Sequence, residues 1–186
     1  MRKLIGRLLF FLAGWKLKVT DEVKAVRKCV LIAAPHTSNW DFYYAIGAFW
    51  MIGVPMKFLI KDNWTRPWYG FVIRKLGGIG VNRQQRNNLT QHAAQLLKDS
   101  ERLFLLNCPE GTRSFVTRWR TGFYYIAIQA DVPIVLGYVD YKKKEGGIVK
   151  VIQHQGKTRE EVMLEIQEFY KDKTGRHPEN YNPQIF

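Results

Sequence analysis

The sequence predicts a single α/β domain, a mixed and largely parallel sheet flanked by helices, led by an N-terminal interfacial helix. Three observations carry that prediction. Apolar runs of strand length alternate with segments of helical spacing through most of the chain, the pattern of strands joined by covering helices. Two of those runs deliver polar clusters to their C-terminal ends, where open α/β sheets place their ligands. The 186 residues carry no repeat, low-complexity tract or linker, and a chain of that length buries a sizeable core as one domain.

The elements follow in order. Residues 1–16 hold Arg2, Lys3 and Arg7 ahead of Leu8-Leu9-Phe10-Phe11-Leu12, too short an apolar stretch for the roughly 20 residues that span a bilayer. They read as a membrane-interface helix with Leu4, Leu8, Phe11 and Leu12 inward and basic residues at lipid headgroups. An ordinary packed helix and a signal peptide are the alternatives, although Gly14-Trp15-Lys16 is a poor cleavage site. Residues 17–174 form the α/β domain. Leu17–Thr20 and Cys29–Ala34 read as strands around a polar turn, and Phe42–Met51 as a helix. Met56–Ile60 is a strand, and Pro67 opens a helix with Trp68, Phe71, Val72 and Leu76 at helical spacing. Ile79–Val81 is a short strand, Asn88 caps a helix bearing Leu89, Ala93, Leu96 and Leu97, and Leu103–Leu106 is a buried strand. Gly122–Ala130 is helical, Pro133–Val139 is a strand, and the charged turn Lys142–Gly147 leads into a strand over Ile148–Ile152. Thr158 and Glu161 form a capping box for a last helix with Val162, Ile166 and Phe169. Residues 175–186 are a tail rich in turn formers.

Lys and Arg outnumber Asp and Glu 29 to 16, a formal charge of +13, which points to an anionic partner: nucleic acid, anionic lipid or an acidic carrier. The six tryptophans favour a membrane interface, and they also suit a core or a base-stacking surface. Cys29 and Cys108 form no disulfide framework and no metal-ligand spacing, so a reducing compartment is the natural reading. His92, His154 and His177 are isolated in polar segments and read as surface residues, with no metal and no cofactor implied.

The stretch with chemistry in it is Ala33-Ala34-Pro35-His36-Thr37-Ser38-Asn39-Trp40-Asp41, directly after the run Cys29-Val30-Leu31-Ile32. Five residues of regular helix rotate by about 140°, so His36 and Asp41 meet only if the histidine lies outside the helix and the aspartate in its first turns. Such a carboxylate fixes the imidazole tautomer and leaves the other nitrogen as a general base. The plainer alternative is a capping box of Ser38 and Asp41, with His36 a loop residue. Further on, Pro109-Glu110-Gly111-Thr112-Arg113-Ser114 sets a glycine, two hydroxyls and an arginine in one turn after a strand, a combination suited to phosphate. A solvated surface turn is its alternative.

Together these motifs resemble the lysophospholipid and glycerolipid acyltransferase family, which includes 1-acylglycerol-3-phosphate acyltransferases. The family's His-x4-Asp matches His36 and Asp41, and its glycine-led strand ending in arginine matches Gly77–Arg83. Its third motif, around Pro-Glu-Gly-Thr-Arg, matches Pro109–Ser114, and its apolar run around Val-Pro-Ile matches Val132–Val135. Departures are Asn107-Cys108 ahead of Pro109, Gly80-Val81-Asn82 ahead of Arg83, and a single membrane element in place of a helical pair.

The resemblance implies His36 as general base, Asp41 as its orienting partner and Arg113 as a phosphate ligand. Glu110, Gly111, Thr112 and Ser114 would shape the acceptor site, Arg83 and Lys61 would add basic contacts, and Pro133 would serve packing and acyl-chain binding. It further implies an acyl-CoA or acyl carrier protein donor, a lysophospholipid acceptor and a membrane surface, with no nucleic acid, at the cytoplasmic face of the inner membrane. With no Gly-x-Ser-x-Gly elbow in the chain, direct transfer is expected, with backbone donors near Gly111 at the oxyanion. Acylation of a phosphate-free lysolipid, thioester hydrolysis and a non-catalytic basic binding module are the rival readings.

Overall fold

The computed structural model describes residues 1–81 and 86–185, without the side chains of 86–88. Its centre is strand β2 (Lys28–Ala33), whose Cys29, Val30, Leu31 and Ile32 are all buried. Side chains alternate between the faces of a strand, so a run this continuously apolar needs cover on both. Val30 and Ile32 join one core cluster, and Cys29 and Leu31 join another.

The sheet has seven strands. With β1 (Lys16–Val19), β3 (Met56–Lys61), β4 (Gly78–Val81), β5 (Leu103–Asn107), β6 (Ile134–Asp140) and β7 (Glu145–Ile152), the order is β1-β7-β6-β2-β5-β3-β4. Every pairing is parallel except β6 with β7, a hairpin whose turn is tied by Asp140 Oδ1 accepting from the amides of Lys142 and Lys143 at 3.1 Å each. Strands β2, β5, β3 and β6 all run the same way, so the segments after their last residues share one edge. That edge gathers Pro35–Asn39, Lys61, Cys108–Ser114 and Tyr141.

The helices are α1 (Arg2–Leu12), α2 (Asp21–Ala25), α3 (Trp40–Ile52), α4 (Gly70–Lys75), α5 (Arg86–Asp99), α6 (Gly122–Ala130) and α7 (Arg159–Tyr170). α1 lies on α3 through Gly6 and Phe10, and the approach is close. A Cβ on Gly6 would stand 2.5 Å from the Gly47 carbonyl oxygen. On the side away from α3, Leu4 is 67% exposed, Leu8 56%, Phe11 79% and Leu12 74%, so the apolar face expected to enter a membrane interface is left uncovered by the described residues. None of the helices among the described residues is long and apolar enough to cross a membrane.

The alternating architecture is as expected, with local differences. The polar turn between the first two strands holds the one-turn helix α2, stabilised by Asp21 and Glu22 in its first turn. α4 starts three residues after Pro67, and it leaves Trp68, Phe71 and Val72 exposed. α5 begins at Arg86, so Asn88 lies inside the helix and not at its cap, and Asn82 and Arg83 lie outside the described residues. β7 starts at Glu145, because pairing with β6 extends the strand into the charged turn. The capping box at α7 forms: Thr158 Oγ1 accepts from the Glu161 amide at 3.2 Å, and Glu161 Oε2 from the Thr158 amide at 2.7 Å.

Residues after α7 fold back over the sheet edge. The Tyr141 amide donates to the Thr174 carbonyl at 2.9 Å, the Trp119 amide to the Ile185 carbonyl at 3.1 Å, and the Tyr181 hydroxyl to the Tyr170 carbonyl at 3.1 Å.

Candidate active site

His36 sits in the loop between β2 and α3 and Asp41 is the second residue of α3, the one arrangement in which their spacing lets them meet. Nδ1 of His36 lies 3.1 Å from Asp41 Oδ2. The same oxygen accepts from the amides of Thr37 and Ser38 at 2.9 Å each. The capping box of Ser38 and Asp41 forms only by half: Asp41 reaches back to the Ser38 amide while holding the imidazole, but the N-cap of α3 is Asn39 without a side-chain cap, and Ser38 Oγ accepts from the Trp40 amide at 3.3 Å. The other Asp41 oxygen, Oδ1, accepts from the Tyr141 hydroxyl at 2.7 Å. Two amides, a hydroxyl and an imidazole nitrogen thus surround the buried carboxylate among the described residues, so both of its oxygens have partners. A carboxylate at Nδ1 favours the tautomer with its proton there, an arrangement in which Nε2 of an imidazole can serve as an acceptor.

Glu110 turns inward beneath the histidine. Its Oε1 accepts from the His36 amide at 2.9 Å, while Oε2 is buried without a partner among the described residues. Burial pushes its carboxyl up to about 7, with the His36 amide pulling the other way. Gly111 takes the left-handed conformation, φ 70°, and the Arg120 side chain packs where a Cβ would project, its Nε 2.9 Å from that position. The Gly111 amide donates to the Cys108 carbonyl at 3.0 Å, so that group is committed to the turn and is no oxyanion donor. Thr112, Arg113 and Ser114 are exposed, and Arg113 donates to the Asn39 side-chain oxygen, which brings the two motifs together. Lys61 is exposed at the end of β3 on the same edge. Burial, aided by Glu110 and Asp41, pushes the Cys108 thiol well up, which leaves no thiolate for nucleophilic attack near neutral pH. Pro133 precedes β6, where its carbonyl accepts from the Val30 amide at 3.1 Å. That is the opposite edge of the sheet from His36, and the neighbouring Val132, Ile134 and Val135 are core.

The structure adds residues that the motifs did not name. Tyr141 is one, and its place on this edge follows from β6 running parallel to β2, a pairing that the sequence did not reveal. Arg176 is another: its guanidinium carbon stands 5.4 Å from the Trp40 ring centre and 6.0 Å from that of Tyr141, held there because the next amide, of His177, donates to Thr37 Oγ1 at 3.1 Å. The turn-rich composition of the tail hid this contact. Among the described residues no group of three or more His, Cys, Asp and Glu side chains is placed to hold a metal ion.

Comparison with known proteins bears on this geometry. A probable 1-acyl-sn-glycerol-3-phosphate acyltransferase of Mycoplasma pneumoniae is 28% identical over 153 residues, which covers 74% of this chain and 56% of that protein. The chain thus spans about half the length of that curated relative. The crystal structure of the 1-acyl-sn-glycerophosphate acyltransferase PlsC from Thermotoga maritima superposes with a TM-score of 0.62 at 17% identity, covering 91% of this chain and 75% of that one, a likeness of fold. The model of the acyltransferase family matches residues 16–136, a segment that contains His36, Asp41, Glu110 and Arg113 and stops short of Tyr141 and Arg176. On that match the chain belongs to the acyltransferase family.

Proposed function

We propose that the protein moves a fatty acyl group from an acyl thioester, acyl-CoA or acyl carrier protein, to the free hydroxyl of a lysophospholipid such as 1-acylglycerol 3-phosphate. The observation that carries this is His36 Nδ1 held 3.1 Å from an Asp41 carboxylate whose other contacts are all donors. Nε2 of His36 takes the proton of the acceptor hydroxyl as its oxygen attacks the thioester carbonyl. The tetrahedral intermediate expels the thiolate, which recovers the proton from the imidazolium. Asp41 stabilises that imidazolium without itself taking a proton. The amides of Thr112 and Arg113, which have no acceptor among the described residues, are the candidate oxyanion donors. Arg113 binds the acceptor phosphate, with Arg83 and Lys61 adding positive charge.

The lysophospholipid acceptor is a bilayer lipid, and the uncovered face of Leu4, Leu8, Phe11 and Leu12 on α1 supports docking there. The net charge of +13 favours anionic headgroups, and we assign the protein to the cytoplasmic face of the inner membrane. Mass spectrometry of lipid products, with acyl-CoA or acyl carrier protein and a panel of lysolipids, tests the reaction. A diacyl product from lysophosphatidate, reduced about 100-fold or more in His36→Ala, is expected. Free fatty acid as the only product would make the protein a hydrolase, and acylation of phosphate-free lysolipids alone would refute the role of Arg113.

A further inference from the structure

The Asp41 carboxylate has four donors, and only one of them comes from far along the chain. His36, Thr37 and Ser38 precede it in the same loop. Tyr141 reaches it from the turn after β6, 100 positions away, at 2.7 Å. We propose that Tyr141 is a positioning residue for acyl transfer, its hydroxyl holding Asp41 Oδ1 so that Oδ2 stays in line with His36 Nδ1. This rests on the reading of His36 and Asp41 as the base and its partner.

The local loop holds only one side of the carboxylate. The Thr37 and Ser38 amides and His36 Nδ1 all contact Oδ2, and the Tyr141 hydroxyl is the partner of Oδ1 among the described residues. Tyr141 thus anchors Asp41 from the far side, against an element that does not belong to the loop. Tyr141 is itself fixed at several points. Its amide donates to the Thr174 carbonyl, and its ring packs edge-on against Trp15 at 4.9 Å and Tyr44 at 6.0 Å. Trp15 stacks on Tyr44 at 4.1 Å and follows α1 by three residues. The aromatic group therefore connects the uncovered N-terminal helix to the carboxylate behind the base.

The hydroxyl also sets how strongly Asp41 stabilises the imidazolium. Donation by Tyr141 spreads the carboxylate's negative charge, and the phenol is held in its protonated form by burial and by that hydrogen bond. The other groups facing this cluster are Glu110 beneath His36, Cys108, Arg113 on Asn39, Arg176 over the Tyr141 ring, and Tyr44. None of them bonds to Asp41 Oδ1. Removal of the Tyr141 hydroxyl leaves Oδ1 without its donor, concentrates charge on the carboxylate and makes His36 easier to protonate.

Tyr141→Phe keeps the ring and removes only the donor. The expected result is a rise of about 0.5–1 pH unit in the His36 titration midpoint, read by NMR of the imidazole ring, since a donor to the charged carboxylate has been lost. The acid limb of kcat should move up with it, kcat at the optimum should fall about tenfold, and KM for donor and acceptor should stay within about twofold. Tyr44→Phe removes a hydroxyl from the same aromatic cluster, and should leave the His36 midpoint in place. An unchanged His36 midpoint in folded Tyr141→Phe overturns the proposal, as does a loss of activity accounted for by a lowered Tm or by KM alone. The NMR titration needs no turnover. A protein inactive on every lysolipid, yet with the shifted midpoint, would overturn the proposed reaction and keep the Tyr141–Asp41–His36 coupling.

Discussion

Replacing Glu110 by Gln isolates the electrostatic cost of a carboxylate buried under His36. Glu110 is 4% exposed, with one oxygen on the His36 amide and the other unpartnered. Burial raises its carboxyl from the usual 4.5 to about 7, and at about 1.4 kcal/mol per pH unit its ionisation costs the fold about 3 kcal/mol. The folded protein holds this proton more tightly than the unfolded chain. Glu110's contribution is therefore fully present below about pH 4.5 and is lost as the pH rises to about 7. Gln cannot ionise, and its carbonyl can still accept from the His36 amide. In thermal or urea unfolding between pH 5 and 8.5, wild type should lose about 2–3 kcal/mol relative to Glu110→Gln, or about 4–12 °C in Tm for a chain of this length. Any constant offset from the new amide is common to all pH values and drops out. Parallel stability curves for the two proteins would show that Glu110 is ionised throughout, and would refute the burial argument.

Two further outcomes are expected. Arg113→Ala should raise KM for lysophosphatidate about 10- to 100-fold, the worth of a charge-assisted hydrogen bond, with little change for a phosphate-free lysolipid; steady-state kinetics on both acceptors checks it. Phe11→Glu with Leu12→Glu should cut binding to anionic vesicles at least about 100-fold in a flotation assay, because two side chains worth roughly 1.5–3 kcal/mol each would no longer enter the apolar layer. Its Tm should hardly move, since both residues are exposed in the folded protein.

The helix over Gly122–Ala130 and the capping box at Thr158 appear in the structure as the local signals indicate, since both depend on residues within a few positions. α4 shows where such reasoning weakens. Its Phe71 is 54% exposed and its Val72 44% despite the helical spacing of the segment's apolar residues, and periodicity records which residues share a face without recording what covers it. In the candidate site, Glu110 was legible as part of a motif, but its direction was not. Whether it meets substrate or the His36 amide depends on how β2 and β5 register, Leu31 beside Leu106 and Ile32 beside Asn107.

Periodicity and spacing over a few residues account for the alternating α/β architecture and the two polar loops at strand ends, and they allow His36 to meet Asp41 without choosing that pairing over a capping box. Only the tertiary structure decided that Tyr141 closes the fourth contact to Asp41 and that Arg176 lies over Trp40. It also decided that the Gly111 amide is spent within its own turn. The first two are contacts between positions 100 or more apart, set by the parallel order of β6 beside β2 and by the return of the last residues over the sheet edge. The third depends on a single backbone conformation, φ 70° at Gly111. A glycine permits that conformation without specifying it, so the direction of its amide waits on the packing around it.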